Sequence, residues 1–293
     1  MVLATTLIYS FNTNFMKVLL DWIGPHGLVV ARCAMSTAGF WIICLFIREK
    51  SEKPGRKDIL MMMLGGALGI GANLLFYING LAKTGPVDAF VIRTAQPIII
   101  IALAVIFLHK KFSWNKGIGI FLGIAGTLYI SLMPHPDGMK DSLTGDILVF
   151  LSSVATSLFL LLIKPYTQKF NSFIVMKWMS LGALIITLPF GYRQFLEAPV
   201  FTEAAPVHIW LEFGFVLIFA TMVGYFLTVE ALNYVSAFVE SAYKYLLPVT
   251  GAIVSISMGL QNFSWHYPIA LVIIVAGFIL INRPVKTPAT AKP

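Results

Sequence analysis

The sequence is short of charge. Only 12% of its 293 residues are Asp, Glu, Lys or Arg. A soluble domain carries roughly 25% and uses them to cover its surface. The shortfall excludes a soluble enzyme, and the high apolar content excludes a disordered chain. Cysteine is nearly absent as well. Cys33 and Cys44 share one apolar run. On a helix they stand about 16 Å apart at 1.5 Å per residue. A disulfide needs Cα atoms within about 7 Å. A disulfide scaffold is therefore excluded, and two buried apolar thiols are expected. His26, His109, His135, His208 and His266 are scattered, with no metal-ligand spacing among them. There is no phosphate-binding loop. No serine has a neighbouring base on its own helix. No metal, cofactor or catalytic group is implied.

What is present is apolar. Hydrophobic residues make up 58%, and mean hydropathy is +0.84. Crossing a bilayer takes about 20 apolar residues. Ten segments qualify: 2–20, 27–47, 58–81, 86–108, 114–133, 145–164, 172–192, 210–233, 235–259 and 266–283. Backbone groups in lipid must pair within their own segment, so each is expected to be a helix. The fold class is an all-α integral membrane protein with ten transmembrane helices. No secretory signal is expected before the first span, which itself crosses.

The net charge is +8, and its distribution gives direction. Arg48, Lys50, Lys53, Arg56 and Lys57 follow span 2. Lys110, Lys111 and Lys116 follow span 4, and Lys164 and Lys169 follow span 6. Arg283, Lys286 and Lys292 lie in the tail. The opposite loops hold only Lys83, Lys140 and Arg193, with Asp137, Asp141, Asp146, Glu197 and Glu203. The positive-inside rule then places both termini in the cytoplasm. This accounts for most of the positive charge without nucleic acid. Lys17, Arg32, Arg93, Lys177 and Lys244 remain, all within spans.

An internal repeat gives that remainder its meaning. At an offset of 151, Phe112-Ser113-Trp114 matches Phe263-Ser264-Trp265, Pro97 matches Pro248, and Ala125-Gly126 matches Ala276-Gly277. Arg93 matches Lys244, each four residues before its proline. Five helices per copy is an odd number, so the second copy enters the membrane inverted. The expected halves are 1–137 and 138–293. Inverted repeats place a substrate site near mid-membrane, at the repeat interface.

Two tandem five-helix repeats resemble the EamA family of the drug/metabolite transporter superfamily. The run Gly80-Leu81-Ala82-Lys83-Thr84-Gly85-Pro86-Val87-Asp88-Ala89 leading to Pro97, its echo Glu230-Ala231-Leu232-Asn233-Tyr234-Val235-Ser236-Ala237 leading to Pro248, and Arg32 in span 2 carry the resemblance. It covers nearly the whole chain. It departs at Tyr9-Ser10, where members usually have Trp-Gly, and at His109-Lys110, where many have Gly-Glu. The resemblance implies a ten-helix carrier of small metabolites and makes export of an amino acid or related solute plausible.

Charges inside a membrane are costly and usually face a cavity or a partner. Helix rise puts Arg93 and Lys244 each within roughly 5 Å of the midplane. They read as cations flanking a central anion site. The opposing reading is a buried pair of Glu240 with Lys244 at i, i+4. Gln96, Tyr243, Asn73, Tyr77, Tyr225, Arg32 and Lys177 complete the candidate substrate-binding set, against packing or headgroup anchoring. Glu230 and Glu240 are the two acids expected well inside spans, and Lys17 is expected to snorkel beside Asp21. Glu240 is the proton-coupling candidate, and Pro97 and Pro248 are candidate hinges or tolerated kinks. Gly119 and Gly123 in span 5 allow close helix approach, either within the chain or in a homodimer.

The expected function is a secondary transporter of the inner (plasma) membrane, not an enzyme. Its partners are a small anionic or carboxylate-bearing solute and the bilayer. Direction of transport and coupling stay open. An intramembrane enzyme acting on a lipid-linked anion, or a non-transporting sensor, is the alternative class.

Overall fold

The computed structural model describes residues 1–46, 54–107, 114–132 and 142–282. The cationic stretches 47–53, 108–113 and 283–293, and the expected boundary between the halves near 137, lie outside the described residues. Every regular element among the described residues is helical.

The helices follow from local sequence. α1 (Val2–Ile23) ends at Gly24, whose φ of 73° suits glycine and turns the chain into α2 (Pro25–Phe46). α3 runs Arg56–Lys83 with a π-helical stretch at Ala67–Ala72. Two short helices follow, α4 (Pro86–Arg93) and α5 (Gln96–Phe107), then α6 (Trp114–Leu132). α7 (Ser142–Lys169), α8 (Ser172–Leu196) and the single turn α9 (Pro199–Thr202) lead to α10 (Val207–Ala231). α10 carries its own π-helical stretch at Val216–Val223. α11 (Ala237–Ala242), a 3-10 turn at Tyr243–Leu246, α12 (Leu247–Ser257) and α13 (His266–Asn282) complete the chain.

Six of these stretches are long and apolar enough to cross a membrane: α2, α3, 86–106, 143–169, 172–202 and α10. α1 has the length but carries Thr5, Thr6, Ser10, Asn12, Thr13 and Asn14, all buried. Its polar face turns into the bundle rather than toward lipid. The segment expected as one span over 235–259 is divided by the 3-10 turn at Tyr243–Leu246, and α13 has 17 residues.

α2 packs along α8, and α6 along α13. α1 lies against α10 and α12, while α7 lies against α3 and α5. Glycines permit the closest crossings. A Cβ on Gly66 would sit 1.9 Å from the Met179 carbonyl oxygen, and one on Gly182 would sit 2.2 Å from that of Met63. The glycine face of α6 is occupied within the chain. Gly126 abuts Ile274, and Gly277 abuts the Gly119 carbonyl. Ile118, Phe121, Ile124, Leu128 and Leu132 of α6 stay exposed.

Polar ties lock the turn between α3 and α4. Lys17 donates to the carbonyls of Leu81 (2.7 Å) and Thr84 (2.8 Å). It caps a helix end rather than snorkelling beside Asp21, because those carbonyls lack helical donors. Thr84 donates to Asp146 at 2.6 Å. Gln261 accepts from the Val87 amide (2.7 Å) and donates to Asp88 (2.6 Å) and to the Tyr267 hydroxyl oxygen (2.5 Å). At the end of α10, Glu230 accepts from Ser172 (2.5 Å), Asn233 (3.1 Å) and Tyr234 (3.3 Å). Glu230 therefore serves a helix terminus and is not the deep acid its position in an apolar run implied.

Candidate functional site

A cavity of about 30 Å³ lies where α1, α2, α3, α4, α7, α10 and α11 converge. That volume holds about one water molecule. Helical spacing brings the wall residues together. Asn73 and Tyr77 are one turn apart on α3, as are Tyr9 and Asn12 on α1 and Tyr225 and Thr228 on α10. Leu74, Thr156 and Phe159 fill between them, and Arg32, Arg93, Glu240 and Lys244 supply the charge.

Irregular backbone feeds the wall at four places. The π-helical stretch of α3 ends immediately before Asn73, and that of α10 two residues before Tyr225. Such stretches rotate the following side chains out of α-helical register and recur at functional sites. Arg93 is the last residue of α4, followed by Thr94 and Ala95, whose amides bond three residues back to Val91 and Ile92. Lys244 sits in the 3-10 turn. Pro97 and Pro248 each take the second position of the helix that follows, α5 and α12. Proline is tolerated there because no intrahelical donor is lost. The expected kinks are short interruptions with i→i+3 bonding, located just before the prolines.

The charged groups are held differently from one another. Arg32 is 1% exposed and its Nε donates to Thr221 at 2.8 Å, with the guanidinium also against the Met16 sulfur. The Arg93 guanidinium lies 4.4 Å from the centroid of the Tyr77 ring, and the Lys244 ammonium 4.7 Å from that of Tyr9. Both are cation–π arrangements, which hold a cation without consuming its charge. Lys244 Nζ is 3.2 Å from Glu240 Oε1, in a pair that is almost wholly buried. The expected alternatives for Lys244 are therefore both present, since it lines the cavity and pairs with Glu240.

The tyrosines are fixed in turn. Tyr77 shares a hydrogen bond with Thr13 at 2.7 Å, Asn73 donates to Tyr225 at 3.1 Å, and Tyr9 meets Thr228 at 3.4 Å. A Cβ on Gly224 would stand 3.1 Å from the Tyr9 ring. Four buried polar atoms of wall residues have no hydrogen-bond partner: Glu240 Oε2, Asn12 Oδ1, Asn73 Oδ1 and Arg93 Nε, while Glu240 Oε1 faces the Lys244 ammonium.

Arg93, Lys244, Asn73, Tyr77, Tyr225, Arg32 and Glu240 thus come together on one wall. Three other candidates lie elsewhere. Gln96 is fully buried outside the cavity, with neither side-chain atom hydrogen-bonded. Tyr243 is 40% exposed and lines a separate groove with Met1, Val2, Leu3 and Tyr234. It precedes Lys244, and a one-residue step in the 3-10 turn points it about 120° away. Lys177 lies over the rings of Trp41 (4.3 Å) and Trp178 (5.5 Å). Sequence reasoning passed over Tyr9, Asn12, Leu74 and Phe159. Ser10 and Asn14, on another face of α1, bond to Thr250 and Ser255 of α12. The available signal was the series Tyr9, Asn12, Thr13 and Met16, spaced at i, i+3, i+4 and i+7 on the neighbouring face.

Comparison with known proteins adds the family. The model of the EamA-like transporter family matches residues 1–132 and 143–283. The chain belongs to the EamA-like transporter family. An uncharacterized transporter of Bacillus subtilis, YyaM, is 23% identical, with 98% of this chain and 94% of that protein aligned. A probable terminal-alkyne amino-acid exporter of Streptantibioticus cattleyicolor is 24% identical over 95% of this chain and 91% of its own. An S-adenosylmethionine uptake transporter of Rickettsia bellii is 23% identical over 59% and 56%. One solved structure superposes with a TM-score of 0.62 at 16% identity, over 96% of this chain and 95% of that one. It shares the fold. The family and these relatives point to a membrane transporter, not an enzyme.

Proposed function

We propose that the protein is a secondary transporter that moves a small carboxylate-bearing organic solute across the inner membrane by alternating access. The observation that carries this is one cavity receiving Arg32, Arg93 and Lys244, from both halves of the chain, against a single carboxylate among its described lining residues. Excess buried positive charge favours an anionic group, and guanidinium offers it paired hydrogen bonds. At about 30 Å³ the cavity is too small for a metabolite. Entry of a metabolite then needs the halves to separate. Glu240, on the same wall, is the group through which a proton gradient acts.

Ten spans in two inverted five-helix repeats are part of this reading. Support comes from paired irregularities. Residues 67–72 shifted by 151 fall within the second π-helical stretch, 216–223. The break at 94–95 falls on the 3-10 turn at 243–246. Lys17 of α1 donates to the Thr84 carbonyl, and Lys164 of α7 donates at 2.8 Å to that of Val235, the residue 151 positions on. Packing is paired in the same way, α1 against α10 and α12 answering α7 against α3 and α5. Cytoplasmic termini follow from the loop charges. A homodimer through α6 would use its exposed face, since its glycines pack on α13.

The test is transport by purified protein in proteoliposomes, without ATP, across a panel of amino acids and carboxylates. Saturable uptake or counterflow of a carboxylate-bearing solute is expected. Flux confined to uncharged or purely cationic solutes would overturn the reading.

A further inference from the structure

Away from the cavity, the Lys177 ammonium has a setting of its own. It lies over the Trp41 ring of α2 at 4.3 Å and over the Trp178 ring of α8 at 5.5 Å. The two indoles meet edge to face, with centroids 5.7 Å apart. Cation–π contacts position a cation without neutralising it. Among the described residues the ammonium has no carboxylate partner and no hydrogen-bond acceptor. Two other lysines at this end of the bundle are engaged. Lys164 donates to the Val235 carbonyl, and Lys169 pairs with Asp58 at 3.1 Å. Lys177 is only half-buried and Trp41 is 37% exposed, so a ligand can reach the charge from outside the bundle.

Its depth is that of a lipid headgroup. α2 and α8 run antiparallel. Cys44 donates to the Phe173 carbonyl near one end, and a Cβ on Gly191 would meet the His26 carbonyl near the other. Trp41 lies five residues before the end of α2, and Lys177 five after the start of α8. At 1.5 Å per residue both stand about 7–8 Å inside the helix ends. Tryptophan rings favour that level of a bilayer. In sequence, this end of α2 leads into Arg48, Lys50 and Lys53. The positive-inside rule makes it the cytoplasmic end, on the leaflet that holds anionic lipids.

Inward from Lys177 the seam between the two helices turns apolar. Ala38 on α2 and Leu181 and Ile185 on α8 continue the faces of Trp41 and Lys177 at helical spacing, and none of them is buried. Ala38 adds little bulk, so a hydrocarbon chain can lie along the seam. A free inorganic anion would gain the lysine alone. A phospholipid gains the lysine through its phosphate and covers the apolar surface with its chain.

We propose that Lys177, held by Trp41 and Trp178, binds the phosphate of an anionic phospholipid of the cytoplasmic leaflet, with an acyl chain along the α2–α8 seam. This goes beyond the transport reading and does not depend on which solute is carried.

The experiment is thermal stabilisation of the delipidated full-length protein in a non-ionic detergent. The probes are phosphatidylglycerol, phosphatidylcholine and inorganic phosphate. Ligand binding to the folded state raises apparent stability. Phosphatidylglycerol is expected to half-saturate at a lower concentration than phosphatidylcholine. Lys177→Gln should raise the phosphatidylglycerol value about fivefold, the attraction of one basic residue near an anionic surface. It should leave the phosphatidylcholine value unchanged, and Lys177→Arg should keep the wild-type preference. Trp41→Leu should raise the phosphatidylglycerol value about twofold, the size of an exposed cation–π contact. That variant decides the matter should Lys177→Gln not fold. Equal action of the two lipids on the wild type overturns the proposal. So does an unchanged phosphatidylglycerol value in Lys177→Gln or, where that fails to fold, in Trp41→Leu. An equal rise for both lipids overturns it too, since it marks a structural role for the lysine. Stabilisation by inorganic phosphate that Lys177→Gln abolishes would make this a free-anion site and end the lipid assignment.

Discussion

At the scale of the residue, the cations within apolar segments divide by what holds them. Lys17 caps two carbonyls at the end of α3, Lys177 lies over two tryptophans, and Arg32, Arg93 and Lys244 face one cavity. Lys17→Met should lower thermal stability without changing substrate affinity. It removes two charge-assisted hydrogen bonds worth about 1.5–3 kcal/mol each. Differential scanning fluorimetry with ligand titration separates the two effects. Glu240→Gln is expected to make transport insensitive to an imposed pH gradient while counterflow persists. A wild-type response to that gradient would remove Glu240 from coupling. Apolar context disclosed that these charges were unusual, but not their partners. Lys17 read as a snorkelling charge and Glu230 as a deep acid, yet both serve helix ends. Those ends are set by the turns at 84–85 and 232–236, where the chain folds back.

At the scale of the element, glycine and proline decide geometry. Gly66 and Gly182 bring α3 and α8 to backbone contact, so Gly66→Leu should unfold or strongly destabilise the protein. Gly214, with nothing within 4 Å of a built Cβ, should accept alanine with little change in thermal stability. Pro248→Ala is expected to keep the fold, because the proline stands at the second position of α12 and blocks no helical bond. If the break it follows is a hinge, the transport rate falls while affinity holds. Helix existence was legible from apolar runs, and most described boundaries fall within a few residues of the expected ones. The π-helical stretches were not legible. They arise where α3 and α10 pack against several neighbours at once, and no residue type marks them. The division of 86–107 and 237–257 was half legible. Pro97 and Pro248 announced a disturbance, while the break itself precedes them.

At the scale of the whole molecule, the offset of 151 links features that local sequence leaves separate. It pairs the two π-helical stretches, the two breaks and the two lysine-capped carbonyls. Arg93 and Lys244 were related by that offset in the sequence, and both line the cavity. Why Arg32 joins them was not legible, since its repeat position is Ala183 and only the packing of α2 on α10 brings it there. Transport by alternating access requires this wall to be shielded in one state and exposed in another. A cysteine at Thr228 should therefore change its rate of modification by a membrane-impermeant thiol reagent when substrate is added. The rate should stay constant if the cavity never opens. The most direct measurement is counterflow of the identified substrate in proteoliposomes carrying wild type, Arg93→Ala or Lys244→Ala. The account predicts that each substitution lowers flux by at least about tenfold, the loss of one charged contact, with the protein still folded. Wild-type counterflow by both variants would contradict it.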